Sequence, residues 1–270
     1  MLRQLFLFGF LIICLPGIPQ FKKISFTQLN HSWFNCDSYK NIYAISEGKF
    51  LKFSPPYTSS LNYNLQKDGV PSFIDINNLN KIVLFFQNSR KVILLDSSFN
   101  EIIRPFYLEE LGIYDISMIF SSKDGGLWFY NYLNNNLTKL NENLIPVIHS
   151  VSLNPFFQPP TSPNFIIWFE DRIFMNIPSN GILVLNQNGK YHTAIQLQGL
   201  IDFQVDDNLI YYYRDNIIYC FNIKTLKTNK VYIPYEPNIL NAYFYQNHII
   251  LLKKDGFTIY QHEINPSENN

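Results

Sequence analysis

Apolar and polar positions along the chain fall into one recurring phrase: a short apolar run, a turn of Asn, Gly, Asp, Ser or Lys, then a second apolar run. It appears as "NIYAISEGKFLKFS" from Asn41, "KIVLFFQNSRKVILLD" from Lys81 and "GLWFYNYLNNNLTKLN" from Gly126. It returns as "RIFMNIPSNGILVLN" from Arg172, "NLIYYYRDNIIYCFN" from Asn208 and "HIILLKKDGFTIYQ" from His248, with starts 36 to 46 residues apart. Runs this short, rich in β-branched and aromatic residues and joined by turn formers, predict antiparallel strand pairs. A period of about forty predicts propeller blades.

Each phrase is preceded by another apolar run: "SWFNC" at 32, "SFIDI" at 72, "DISMIF" at 115, "NFIIWF" at 164, "IDFQV" at 201 and "AYFYQ" at 242. All but the last are followed by a more polar segment: "LNYNL" at 61, "EIIRP" at 101, "IPVIHSVSL" at 145, "HTAIQL" at 192 and "KVYIP" at 230. The expectation is therefore an all-β, six-bladed propeller of four-stranded antiparallel blades over residues 20–263, preceded by a signal peptide (1–19) and followed by a polar tail (264–270). The sixth unit lacks a fourth strand, which would leave an open sheet edge. The spare strand "FKKISFTQL" at 21–29 is expected to fill that edge and close the ring.

In "SSKDGGLWFYNYLNNNLTKLN", from Ser121, the Asp124-Gly125-Gly126 turn is expected to join a first strand to a second, with Trp128 packed between blades. This stretch resembles the Asp-x-Gly-x-hydrophobic-Trp phrase of NHL-type propeller repeats. Residues 20–263 together resemble a family of uncharacterised exported bacterial propeller proteins. The resemblance implies the fold and no activity. Ser122, Asp124, Gly126 and Phe129 also match the spacing of the sialidase Asp-box. In sialidases that box recurs between third and fourth strands, whereas here it occurs once, between first and second. The arginine triad of those enzymes has no counterpart, since Arg90, Arg104, Arg172 and Arg214 fall mostly in turns or on outer strands.

Composition narrows the reading. Hydrophobic residues make up 47% of the 270-residue chain and aromatics 17%, with 24 Phe and 18 Tyr, which is enough to build a substantial core. Lys plus Arg equals Asp plus Glu at 21 each, so no net field draws nucleic acid or an anionic membrane. "MLRQLFLFGFLIICLPGIPQ" reads as a secretory signal whose apolar run is too short for a comfortable membrane span. Lipidation at Cys14 is disfavoured because Ile13 stands where a lipobox needs a small residue. Cys36 and Cys220, both among apolar neighbours, are expected as buried free thiols. Asn30 and Asn136 head glycosylation sequons, which an Asn-rich chain produces by chance. The expected compartment is the bacterial periplasm or outer cell envelope.

No chemistry-bearing motif stands out. His31, His149, His192, His248 and His262 are scattered without zinc-ligand spacing, and no nucleophile elbow or phosphate loop occurs. Asp75, Asp115, Glu170, Asp202 and Asp206 lie in or beside inner strands. Two readings of them compete: strand-end residues satisfied by turns, or oxygen ligands for calcium in a lactonase-like, channel-mouth hydrolase. The primary reading is a non-enzymatic, exported module, monomeric within a larger assembly, that needs no cofactor. It binds an envelope protein through the face carrying the blade links. There Phe156 and Phe157 sit in the proline-rich link "HSVSLNPFFQPPTSPNF", as a protein contact or as a plug folded over the channel. Arg90 and Arg214 project from turns on that face. The second long link, "RPFYLEELGIY" at 104–114, is expected to form a helical turn around Leu108 to Leu111.

Overall fold

Each of the six phrases supplies the two middle strands of a four-stranded antiparallel sheet. The computed structural model describes residues 21–149, 152–153 and 163–262. The expected signal peptide with Cys14, the pair Phe156 and Phe157, and the tail 264–270 lie outside the described residues. The chain begins with β1 (Phe21–Gln28). Blade 1 is β2 (Trp33–Cys36), β3 (Ile42–Ser46), β4 (Lys49–Phe53) and β5 (Ser60–Asn64). Blade 2 is β6 (Phe73–Asp75), β7 (Ile82–Phe86), β8 (Lys91–Leu95) and β9 (Phe106–Tyr107). Blade 3 is β10 (Ile116–Ser121), β11 (Leu127–Asn131), β12 (Asn136–Leu140) and β13 (Pro146–His149). Blade 4 is β14 (Phe165–Phe169), β15 (Arg172–Ile177), β16 (Gly181–Asn186) and β17 (Tyr191–Ile195). Blade 5 is β18 (Gln204–Asp206), β19 (Leu209–Arg214), β20 (Ile217–Asn222) and β21 (Thr228–Tyr232). Blade 6 is β22 (Ile239–Tyr245), β23 (His248–Lys253), β24 (Gly256–His262) and, last, β1.

Middle strands read as continuous apolar runs because both of their faces are covered. Along β7, Ile82, Leu84 and Phe86 pack toward blade 1, while Val83 and Phe85 pack toward blade 3. Side chains alternate across a strand, so one run feeds two cores. The core accordingly divides into six clusters, one at each junction between neighbouring blades. Trp128 is fully buried in the cluster between blades 3 and 4, as the sequence leads one to expect.

The turns explain much of the Asn content. Between third and fourth strands, Asp96, Asn141, Asn186 and Asn222 occupy equivalent positions in blades 2 to 5. Each side-chain oxygen accepts from backbone N–H groups further along its turn, such as Ser98 and Asn100 for Asp96, and Asn188 and Lys190 for Asn186. Asn143 and Ile145 donate to Asn141, and Lys224 and Thr225 to Asn222. These Asx turns recur with the blade and fix its polar punctuation.

The ring closes as the missing strand requires. β1 pairs antiparallel with β24 from Phe21 opposite His262 to Gln28 opposite Gly256, with a bulge between Lys23 and Ser25. Glu236, in the link into blade 6, clamps the closure. It accepts from the Tyr260 hydroxyl at 2.6 Å, Lys23 at 2.9 Å and Lys253 at 3.0 Å.

Two expectations need correction. "EIIRP" does not form the fourth strand of blade 2, which is β9. The Asx turn at Asp96 consumes the chain to Asn100, and Glu101 makes only an isolated bridge to Leu95. Pro105 has no N–H to donate, so regular pairing resumes at Phe106. Cys36 and Cys220 are both free, but Cys220 is half-buried rather than buried. The helical turn of the second long link is present as a 3-10 turn over Leu108–Leu111, ended by Gly112 in the left-handed region.

Candidate functional site

Strand direction gives the ring two faces. The link face carries the blade links and the turns between second and third strands. The opposite face carries the turns between first and second and between third and fourth strands, and is called the turn face below.

The inner strands converge on a central chamber of about 350 Å³ whose mouth lies on the turn face. Its walls come from β2, β6, β14, β18 and β22, and it is bordered at the mouth by Ser38, Lys40, Asn77, Asp206 and Gln246. A second, more open cavity of about 440 Å³ lies beside it over the first turns of blades 2 and 3, lined by Tyr39, Asn80, Lys81 and Lys123 among others. Asn77 and Trp168 border both cavities. Asn77 Nδ2 donates to the Ile166 carbonyl of β14 at 3.3 Å, linking blade 2 to blade 4 between the two cavities. The indole N–H of Trp168 donates to the Glu170 carbonyl at 2.7 Å, which holds the ring at the rim.

Polar groups inside the chamber are mostly engaged with one another. Asp37 accepts from the N–H groups of Tyr39 and Asn41, the Asn41 amide and the Tyr43 hydroxyl, at 2.7 to 2.9 Å. Gln204 bridges blades 5 and 6 by pairing both ends of its amide with the backbone of Phe244. Toward the link face, Tyr243 Oη lies 2.7 Å from Asp202 and 2.8 Å from Asn35, and Asn241 donates to Asp202 at 2.7 Å. This network joins blades 5, 6 and 1 above the chamber. Burial pushes the carboxyls of Asp37 and Asp202 above the usual range, partly offset by the donors they receive. Burial likewise raises the Cys36 thiol well above its usual value, so this cysteine is held as the neutral thiol.

The five carboxylates singled out in the sequence do not converge. Asp75 is buried between blades 2 and 3, accepting from Ser121 N–H and Oγ and from the Asn77 backbone and side chain. Asp115 and Asp202 precede their inner strands on the link side. Glu170 and Asp206 stand at the ends of theirs on the turn side, both exposed. Among the described residues no three His, Cys, Asp or Glu side chains are grouped closely enough to hold a metal ion. Asp124 is a turn residue: its carboxylate accepts from Ser122 Oγ, Gly126 N–H and Lys139.

Arg90 and Arg214 both stand on the link face, on blades 2 and 5. Arg90 forms an ion pair with Glu109 and lies over the Tyr114 ring at 6.0 Å. Arg214 donates to the Gln198 carbonyl and lies over Tyr212 at 5.7 Å. The residues that build the turn-face cavities, Lys40, Asn77, Trp168 and Tyr245, carry no local motif. Their one shared signal is position at or just beyond the end of an inner strand.

Solved structures share this fold. A streptogramin B lyase structure aligns with a TM-score of 0.52 at 11% identity, covering 91% of this chain and 88% of that one. Virginiamycin B lyase from Staphylococcus aureus aligns at 0.53 with 15% identity, covering 86% and 80%. The Pan2 WD40 domain of Neurospora crassa aligns at 0.55 with 12% identity, covering 93% and 84%. No protein-family profile matches the chain, and no curated protein matches it. These likenesses establish a β-propeller; neighbours that include both a lyase and a WD40 domain leave its function to the residues themselves.

Proposed function

We propose that this chain is a non-enzymatic, exported propeller that docks a protein partner of the cell envelope on its link face, across blades 2 and 3. The observation that carries this reading is a group of exposed apolar side chains there, on segments whose backbones are hydrogen-bonded to one another. Tyr107, Tyr114, Tyr132 and Leu133 are all exposed, Tyr114 at 52% and Leu133 at 70%. Arg90 lies over Tyr114, the Leu108 N–H donates to the Arg90 carbonyl at 3.0 Å, and the Tyr132 N–H donates to the Asp115 carbonyl at 2.9 Å. Tyrosine and arginine in one neighbourhood suit a protein contact, because each presents a large apolar body and a polar end. Arg214 and the exposed Ile201 extend the same face on blade 5.

The reading is tested by placing a photo-crosslinking amino acid at Leu133 or Tyr114 in intact cells, with Leu226 on the turn face as control. One discrete adduct from both link-face positions, absent from Leu226, is the expected result. Adducts equal at all three positions, or none from the link face, overturn it.

A further inference from the structure

The central chamber is a separate feature on the opposite face, and nothing in the docking reading uses it. We propose that it is a binding site for a small aromatic anion, with the ring system inside the chamber and the charged group at the mouth beside Lys40.

Size comes first. A volume of about 350 Å³ falls at the lower end of cavities that hold small organic ligands. The walls combine polar groups with an apolar, largely aromatic set, Ile74, Phe165, Ile167, Phe169, Phe203 and Tyr245, contributed by four blades. Such walls suit a flat ring that can stack or meet ring edges. The interior asks for little hydrogen bonding from a ligand body: Asp37 has four donors, both ends of the Gln204 amide are paired, and Tyr243 is tied to Asp202 and Asn35.

The mouth supplies the charge. Lys40 donates from Nζ to His248 Nδ1 at 3.4 Å and takes part in no ion pair among the described residues. Burial and the Lys40 charge both hold His248 below its ordinary pKa, so the imidazole stays a neutral acceptor and brings no opposite charge to Lys40. Asp37 forms no ion pair with Lys40, and its carboxylate oxygens accept from the turn and from Tyr43. Asp206, the rim's other acid, is exposed to solvent on blade 5. A cation at the edge of a partly enclosed space attracts an anionic head group more strongly than one in open water does.

Two probes with the same ring body separate the two parts of the proposal: 1-anilinonaphthalene-8-sulfonate, which is anionic, and N-phenyl-1-naphthylamine, which is uncharged. Each is titrated into the purified chain and followed by fluorescence. The expected result is one saturable site for both. Ile167→Trp, which fills the chamber from blade 4, is expected to weaken both by at least about tenfold. Lys40→Gln is expected to weaken the sulfonate about five- to tenfold and to change the uncharged probe by less than about twofold. If Ile167→Trp lowers the melting temperature, Ile74→Phe fills the chamber from blade 2 and serves in its place. Absence of a saturable site, binding unchanged by filling, or equal loss of both probes in Lys40→Gln overturns the proposal.

Discussion

Asn77 and Ile166, on non-adjacent blades, are joined by a hydrogen bond of 3.3 Å from the Asn77 amide to the Ile166 carbonyl. The same amide nitrogen lies 2.7 Å from Asp75 Oδ1, and Asp75 Oδ2 accepts from Ser121 N–H and Oγ at 2.7 and 2.8 Å. A buried carboxylate thus holds the first turns of blades 2 and 3 together and aims Asn77 at blade 4. Unpaired backbone on an inner strand needs a partner away from water. Here a side chain provides it, and the channel mouth is divided as a result.

Asp75→Ala removes that anchor and leaves buried donors on Ser121 and Asn77. We expect a loss of about 3 kcal/mol in urea-monitored unfolding, since stranded buried donors carry their full desolvation cost. Asp75→Asn keeps one acceptor and is expected to lose less. Equal stability of wild type and Asp75→Ala would show that the bridge does not hold the blades.

Acid behaviour separates two kinds of carboxylate. The Glu236 carboxyl is lowered from the ordinary 4.5 to about 2 by the Tyr260 hydroxyl and the two lysine ammonium groups. A depressed folded pKa contributes stability above the unfolded value and loses it as pH falls from about 4.5 toward about 2. Asp75 has the opposite sign. Burial raises its folded pKa above 3.8, so the proton-linkage part of its contribution is lost as pH rises through the raised value, while the four hydrogen bonds its carboxylate accepts remain. Glu236→Gln is therefore expected to lower stability at pH 7 by about 2 kcal/mol and to flatten the acid limb below pH 4.5 in melts across pH. An unchanged acid limb would contradict the clamp.

Gly256 sets the closure geometry. It has φ +140°, and a Cβ built there would meet the Thr27 carbonyl oxygen at 1.9 Å. Gly256→Ala is expected to cost at least about 3 kcal/mol and to raise amide exchange along β1, because strand and carbonyl must separate. Gly69, with φ +78° and open space around it, is the comparison. Gly69→Ala is expected to cost about 1 kcal/mol. Similar costs at the two sites would refute the steric account.

Trp128 fills the junction of blades 3 and 4 with Lys139 over its ring at 5.6 Å, and its buried indole N–H has no partner among the described residues. Trp128→Ala is expected to cost about 3–5 kcal/mol through the cavity it leaves. Trp128→Phe gives up no hydrogen bond to a described residue and is expected to cost about 1–2 kcal/mol. Chemical denaturation of the two variants measures the difference, and a Phe variant as unstable as the Ala variant would assign the indole a polar role.

Calcium gives a direct check on the rival hydrolase reading. With its five carboxylates divided between the two faces and a blade junction, millimolar calcium is expected to leave the melting temperature unchanged. A rise, which mass action requires of a ligand that binds the folded state, would reinstate that reading.

Local sequence patterns encode the blades. Two-faced burial writes continuous apolar runs into the middle strands, Asx turns mark the gaps between them, and the unit that lacks a fourth strand assigns β1 its partner. These are local patterns, or follow from the rule that a sheet edge must be covered. Tertiary structure alone decided where β9 begins, because the turn at Asp96 and the missing N–H of Pro105 compete for the same few residues. It alone decided the channel as well. Lys40 meets His248 across 208 positions of sequence, and Asn77 meets Ile166 across 89. Such meetings depend on how far each inner strand advances toward a shared axis. That distance is set by the packing of six blades against one another around a closed ring, and no periodicity within one blade encodes it.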